Sequence, residues 1–286
     1  MAKSRNIQAV LETIPTIEGA GVALRRAFSN REAKLLDPFL LLDDFGSEDP
    51  EDWIKGFPWH PHRGIETITY VLDGNVRHED SLGNAGEIVT GDVQWMTAGS
   101  GIIHQEMPQL GEGSLWGLQL WANLPSDQKM MTPRYRDVKG SNIPVVRTDQ
   151  GLVVRIISGS YNGVQGPVGD VVIEPQYLDV TVPTHQSFAY QVPTEHTVFS
   201  YIIDGSANFG QEEKNIGEQH LVVYKPGDRI DVRTEEEGTR FLLVTGKPLR
   251  QPIAWYGPIV MNTQEEIQQA VEEFQSGNFI KYKPEH

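Results

Sequence analysis

Short β-rich segments recur along nearly the whole chain, each closed by a turn signal, and that rhythm leaves few folds open. The first series covers residues 65–72, 86–89, 93–97, 102–107 and 115–120. The second covers residues 152–157, 177–182, 198–203, 220–224 and 241–244. Many short strands at regular spacing predict antiparallel sandwiches or barrels rather than βαβ units. Asp73-Gly74 is predicted to make a tight turn after the first strand. The sequence signals one helix clearly. Thr263 and Glu266 form a capping box, Ile267, Ala270, Val271 and Phe274 follow helical spacing, and Gly277 is placed to stop it. This helix is predicted to pack on a sheet.

A weak internal repeat divides the chain. Residues 67–74 (TITYVLDG) resemble residues 198–205 (VFSYIIDG), and each is followed by a Gly-Asp turn, at Gly91-Asp92 and Gly227-Asp228. Two copies of one β module explain both matches, and 286 residues are enough for two ordinary domains. Pro, Lys, Asp and Gly cluster over residues 126–144, so the expected division is 1–130 and 131–286.

The chemistry-bearing residues are concentrated in two short segments. One contains His60-Pro61-His62 and the other His104-Gln105-Glu106. Residues i and i+2 of a strand point to the same side, so each segment offers two donors on one face. Two adjacent strands facing one interior would bring all four to one ion. Three imidazoles and a carboxylate suit a divalent first-row metal, with iron, nickel, manganese, copper and zinc all admissible. An octahedral ion on four protein ligands would keep two open positions, which favours catalysis over a purely structural site. Glu66 lies four residues after His62 and is expected to share its face if the strand is regular, as a fifth ligand or as an acceptor orienting a histidine. His78, in His78-Glu79-Asp80, is expected at a solvated strand end. Trp95, Met96, Trp116 and Trp121 are expected to fill core, with residues 94–96 close enough to line a cavity. His185, His196 and His220 are scattered and carry no assignment.

The second half lacks the donor set. Laying Gly205 on Gly74 puts Gln191 and Pro193 where His60 and His62 stand, and laying Gly227 on Gly91 puts Arg240 and Leu242 near His104 and Glu106. The second module is therefore expected to hold no metal.

Composition removes other classes. A net charge of −15 argues against a broad basic face for nucleic acid. The absence of cysteine excludes disulfides, thiolate metal sites and cysteine nucleophiles. Apolar runs such as residues 39–42 are too short to span a bilayer, and residues 1–10 show no secretory pattern. A cytoplasmic protein is expected, or a nuclear one if the source is eukaryotic.

At the same residues the chain closely resembles the pirin family of the cupin superfamily. The match is carried by residues 60–70 (HPHRGIETITY), 78–83 (HEDSLG) and 91–108 (GDVQWMTAGSGIIHQEMP), with residues 246–249 and 256–263 adding to it. The resemblance implies an all-β protein of two tandem jelly-roll-like cupin barrels, the first holding metal and the second degenerate. It implies iron, as Fe(II), on His60, His62, His104 and Glu106, and so ranks Glu106 above Glu66. Two roles of different class follow from it. One is a quercetin 2,3-dioxygenase type of oxidoreductase that opens a flavonol ring with dioxygen and releases carbon monoxide, with Glu106 taking the hydroxyl proton. The other is a non-enzymatic, redox-sensing co-regulator that binds a protein partner, with the acidic loop 46–56 as a candidate surface. A monomer is expected.

Overall fold

The computed structural model describes residues 3–111, 114–212 and 214–282. The architecture is all-β with a C-terminal helix, Gln264–Gln275. The chain divides into two units. One, here the packed unit, comprises Met1–Ile14, Lys34–Pro38 and Asn142–Pro248; the other, the pocket unit, comprises Pro15–Ala33, Phe39–Ser141 and Leu249–His286. The strand Ile7–Glu12 joins the packed unit because it pairs antiparallel with His220–Tyr224. The expected division at residue 130 lies inside the pocket unit, which runs on to Ser141 and takes back the tail from Leu249.

The pocket unit is built on two antiparallel sheets that remain open at their edges. A four-stranded sheet has the order Phe57–His62, Ile102–Pro108, Asn75–Asp80, Ala85–Val89. A seven-stranded sheet has the order Arg134–Val138, Val93–Thr97, Ile65–Asp73, Leu115–Asn123, Phe39–Ser47, Val22–Phe28, Ile14–Glu18. Between them Val22, Leu24, Phe45, Trp53, Val71, Val76, Ile88 and Leu115 form one apolar cluster. Full burial of a side chain of this size stabilises by about 1.5–3 kcal/mol.

The turn predicted at Asp73-Gly74 is not a hairpin. Asn75–Asp80 pairs with Ala85–Val89 and Ile102–Pro108, whereas Ile65–Asp73 pairs with Val93–Thr97 and Leu115–Asn123. Gly74, at φ +95°, therefore marks a corner where the chain passes from one sheet to the other. Gly205 does the same within Thr197–Phe209: residues before it pair with Thr239–Gly246, and residues after it with Asn215–Gly217. The repeated Asp-Gly is the mark of this corner in both copies.

The helix forms as its caps predict. The Thr263 hydroxyl accepts from the Glu266 amide and the Glu266 carboxylate accepts from the Thr263 amide. Its apolar face is narrower than expected: Ile267 and Ala270 are buried, but Phe274 is exposed. That face packs on Ala254, Ile259, Met261 and Phe279. The acidic loop is ordered as a short 3-10 turn, Pro50–Asp52, capped by Asp49, with Trp53 buried beneath it.

Candidate metal centre

The strand Phe57–His62 lies at the edge of the four-stranded sheet and pairs on one side only, with Ile102–Pro108. An edge position tolerates Pro58 and Pro61, whose missing amides would break a central ladder. The register sets Ile102 opposite His62 and His104 opposite His60, and a bulge follows before Glu106. Along Ile102–Pro108 burial alternates, so Ile102, His104, Glu106 and Pro108 face inward. The i, i+2 expectation for His104 and Glu106 describes this strand well.

Three imidazoles meet there. Ring centroids are 4.3 Å apart for His60 and His104, and 4.9 Å for both His60–His62 and His62–His104. His60 Nδ1–H donates to the Pro58 carbonyl at 2.9 Å, and His62 Nδ1–H to the Pro258 carbonyl at 3.1 Å. Carbonyls only accept, so both rings carry their proton on Nδ1 and present a lone pair at Nε2 when neutral. Yet the two Nε2 atoms lie 3.1 Å apart. Two lone pairs at that distance repel unless a proton or a metal cation sits between them. Burial pulls the His62 and His104 imidazoles well below their ordinary value, helped by the neighbouring imidazoles, which favours the neutral, ligand-competent form. His104 is fully buried and neither of its ring nitrogens has a hydrogen-bond partner. The donor set, the burial and the unpaired nitrogens all fit a divalent metal.

Glu106 is buried beside this trio. Thr69 Oγ1 donates to its Oε1 at 2.8 Å and Gln119 Nε2 to its Oε2 at 2.9 Å. Donor atoms of His60, His62 and His104 lie within 4.8 Å of one another, and so do those of His78, His104 and Glu106. The four predicted ligands are thus brought into two overlapping groups that share His104.

Two sequence expectations fail here. Glu66 shares no face with His62, because the chain turns at Gly64 (φ +78°) and starts a strand of the other sheet. A Cβ at Gly64 would lie 2.0 Å from the Val260 carbonyl oxygen, so only glycine fits this turn. Glu66 accepts from Thr97 Oγ1 at 2.6 Å and joins neither donor group. His78 is not solvated: it is fully buried, stacks on Tyr135 at 5.0 Å and lies 5.3 Å from the His104 ring. Strand alternation settles this, since His78 and Asp80 point inward while Arg77 and Glu79 point out.

A pocket of about 620 Å³ opens onto His60, His62 and Glu106. Leu24, Leu41, Phe45, Phe57, Trp121 and Trp255 supply its apolar wall. Trp121 meets the His62 ring edge-on at 5.1 Å and Trp255 lies 6.2 Å from Trp121. Of the four residues expected to fill core, Trp95 and Met96 are buried away from this pocket, Trp121 instead walls it, and Trp116 is partly exposed with its indole N–H on Asp44. Across the pocket Arg26 makes a bidentate pair with Asp43 (2.7 Å for both bonds) and reaches Glu18 at 2.9 Å. Sequence reasoning missed Arg26, Asp43 and the tail residues Trp255, Gly257 and Pro258, which come to the pocket from distant segments. Lys129 helps hold that tail by donating to the carbonyls of Gly64 (2.9 Å) and Val260 (2.8 Å).

Known proteins resemble this chain in sequence and in fold. A family model described as pirin matches residues 21–122, and one described as the pirin C-terminal cupin domain matches residues 177–280. The chain is 38% identical over 276 residues to a pirin-like protein of Caulobacter vibrioides, covering 96% of this chain and 99% of that one. It is 39% identical over 280 residues to human pirin, covering 96% and 94%. A crystal structure of a quercetin 2,3-dioxygenase from Acinetobacter baumannii superposes with a TM-score of 0.90 at 33% identity, covering 97% and 99%.

Proposed function

Because this chain belongs to the pirin family of two-domain cupins, we propose that it is a metal-dependent dioxygenase that opens a flavonol-like substrate with dioxygen, using Fe(II). The observation that carries the proposal is the meeting of the His60, His62 and His104 imidazoles beside Glu106 at the end of an aromatic-walled pocket, with both His104 ring nitrogens unpaired. The quercetin dioxygenase with a similar structure gives the substrate class.

His60, His62 and His104 supply the imidazole donors and Glu106 the carboxylate donor. When bound there, a divalent ion supplies Lewis acidity toward an enolic oxygen and the redox capacity that dioxygen chemistry needs. Glu106 takes the proton of the substrate hydroxyl as general base. Thr69 and Gln119 fix its two oxygens, so the acceptor is pre-aimed. Trp121, Trp255 and Phe57 offer flat apolar surface against planar rings and keep bulk water away. At the polar side, Asp43 is committed to Arg26, whereas Glu18 has a partly exposed carboxylate able to accept from a ring hydroxyl.

The test is oxygen uptake with quercetin by protein reconstituted anaerobically with Fe(II), beside a His60→Ala/His104→Ala variant. Turnover that disappears in the variant is expected. Iron bound at one per chain with no uptake would sink the enzymatic reading and turn attention to a metal-sensing role.

A further inference from the structure

We propose that the pocket unit contains a second, inner metal station made by His78, His104 and Glu106, which shares His104 with the outer trio. The inference rests on reading the pocket as a metal centre and adds a residue, His78, to it.

The strand pairing builds this station directly. Ile102–Pro108 sits between Phe57–His62 and Asn75–Asp80 in the sheet. On one side His104 opposes His60; on the other, Glu106 opposes His78 and His104 opposes Asp80. Directly opposed residues of neighbouring strands hold their side chains within contact range. The inward face of one strand therefore serves imidazoles on both flanks.

The polar atoms there are unsatisfied. His78 and His104 are fully buried and Glu106 is 3% exposed. His78 Nδ1 and both ring nitrogens of His104 have no hydrogen-bond partner. The Nε2 of His78 has only a long contact, 3.4 Å, with Asp80 Oδ2. Asp80 is itself anchored by the Leu82 and Asn84 amides at 2.9 and 3.0 Å, so it fixes the ring from behind. Buried unpaired groups are rare in native proteins and point to an ion or water. The donor atoms of the three residues lie within 4.8 Å of one another. Two imidazoles and a carboxylate form a set that suits Fe(II), Mn(II), Co(II) or Cu(II).

The two stations are alternatives, not a pair. Two dications a few ångströms apart in a buried site repel strongly, so one ion per chain is expected. Of the inner donors His78 and His104 do not line the pocket and Glu106 does, whereas His60 and His62 both line it. The inner position is thus set back from the substrate side and retains an ion when the outer imidazoles are lost.

The probe is Cu(II) alone, loaded into the full chain and into a His60→Ala/His62→Ala variant, with a His60→Leu/His62→Leu version prepared in parallel because it keeps the volume filled. Copper content is measured after dialysis, coupled imidazoles are counted by pulsed electron paramagnetic resonance, and folding is checked by circular dichroism. One copper with two coupled imidazoles is expected in a folded double variant. Adding His78→Gln should lower its affinity by at least about tenfold and leave one coupled imidazole. A folded double variant that binds no copper, that couples a single imidazole, or that is indifferent to His78→Gln overturns the inner station, and an ordered water would then explain the unpaired nitrogens. Failure of the unmodified chain to bind copper would instead overturn the reading of the pocket as a metal centre, and the inner station with it.

Discussion

The same pair of strands occurs in both units, with opposite contents. In the pocket unit Phe57–His62 runs beside Ile102–Pro108, and its inward side chains include His62, His104 and Glu106. In the packed unit Ser187–Gln191 runs beside Arg229–Arg233, and there Phe188, Ile230 and Val232 are buried. Phe188 and Phe209 meet Phe241 edge-on at 5.8 and 5.5 Å, and Tyr161, Phe188 and Tyr190 stack on one another. One interior is filled with aromatic and aliphatic side chains that satisfy each other by packing. The other keeps polar donors around an open cavity and leaves several of them unsatisfied. A cupin scaffold supports either content, so the chemistry belongs to the donors rather than to the fold.

The largest effects should come from exchanging what each interior does. His104→Ala removes the donor common to both groups and is expected to abolish metal binding, read by elemental analysis. Stability of the metal-free protein should change by less than about 1 kcal/mol, since the deletion also removes unpaired buried nitrogens. Phe241→Ala should do the reverse, costing about 3–5 kcal/mol in denaturant unfolding while metal binding is kept. Equal destabilisation of the metal-free protein by both substitutions would break the contrast between the two interiors.

The parts of this arrangement written in local spacing were legible beforehand. Alternation along Ile102–Pro108 placed His104 and Glu106 together, the capping box placed the helix, and the repeated Asp-Gly marked the two copies. Strand pairing was harder to read. Gly91-Asp92 opens Val93–Thr97, whereas Gly227-Asp228 opens Arg229–Arg233, the partner of Ser187–Gln191. Laying one on the other therefore slipped the comparison by a strand. Arg240 stands on Thr239–Gly246, where it binds Asp179, and not at the counterpart of His104. Pocket residues drawn from far along the chain were hidden for the same reason. Nothing adjacent to Trp255 or Pro258 announces that the tail returns to the strand carrying His62, and only a third strand, through the register of Asn75–Asp80, shows that His78 faces inward.

A smaller effect separates donors from the groups that aim them. Gln119 and Thr69 each hold one oxygen of Glu106. Gln119→Leu should leave the metal content unchanged and lower turnover by about 10–100-fold, as for other groups that orient a ligand. The lost turnover should lie in kcat rather than KM. A change confined to KM would mean that Gln119 touches substrate and does not position Glu106.

The smallest expected effect concerns the tether of the tail. Arg63, next to His62 in sequence, donates to Glu273 Oε2 at 2.7 Å, to the Ser100 carbonyl at 2.8 Å and to the Phe279 carbonyl at 2.7 Å, and its guanidinium lies 4.2 Å over the Phe279 ring. Burial pushes the Glu273 carboxyl up, but hydrogen bonds from Lys281, Gln269 and Arg63, with the Arg63 charge, outweigh it and hold the group at about 2 instead of 4.5. A carboxylate held low stabilises the fold fully above its ordinary value and loses that contribution as pH falls toward the folded value. Glu273→Gln should therefore lower stability by only about 1 kcal/mol at neutral pH, because the pair is partly open to solvent. The gap between the two proteins should stay constant above about pH 5 and close between about pH 4.5 and 2. Measuring urea midpoints across that range decides the matter: a gap that persists at pH 2 would show that the tail is held by its apolar contacts with Phe279, Ile267 and Ala270, and not by the charge on Glu273.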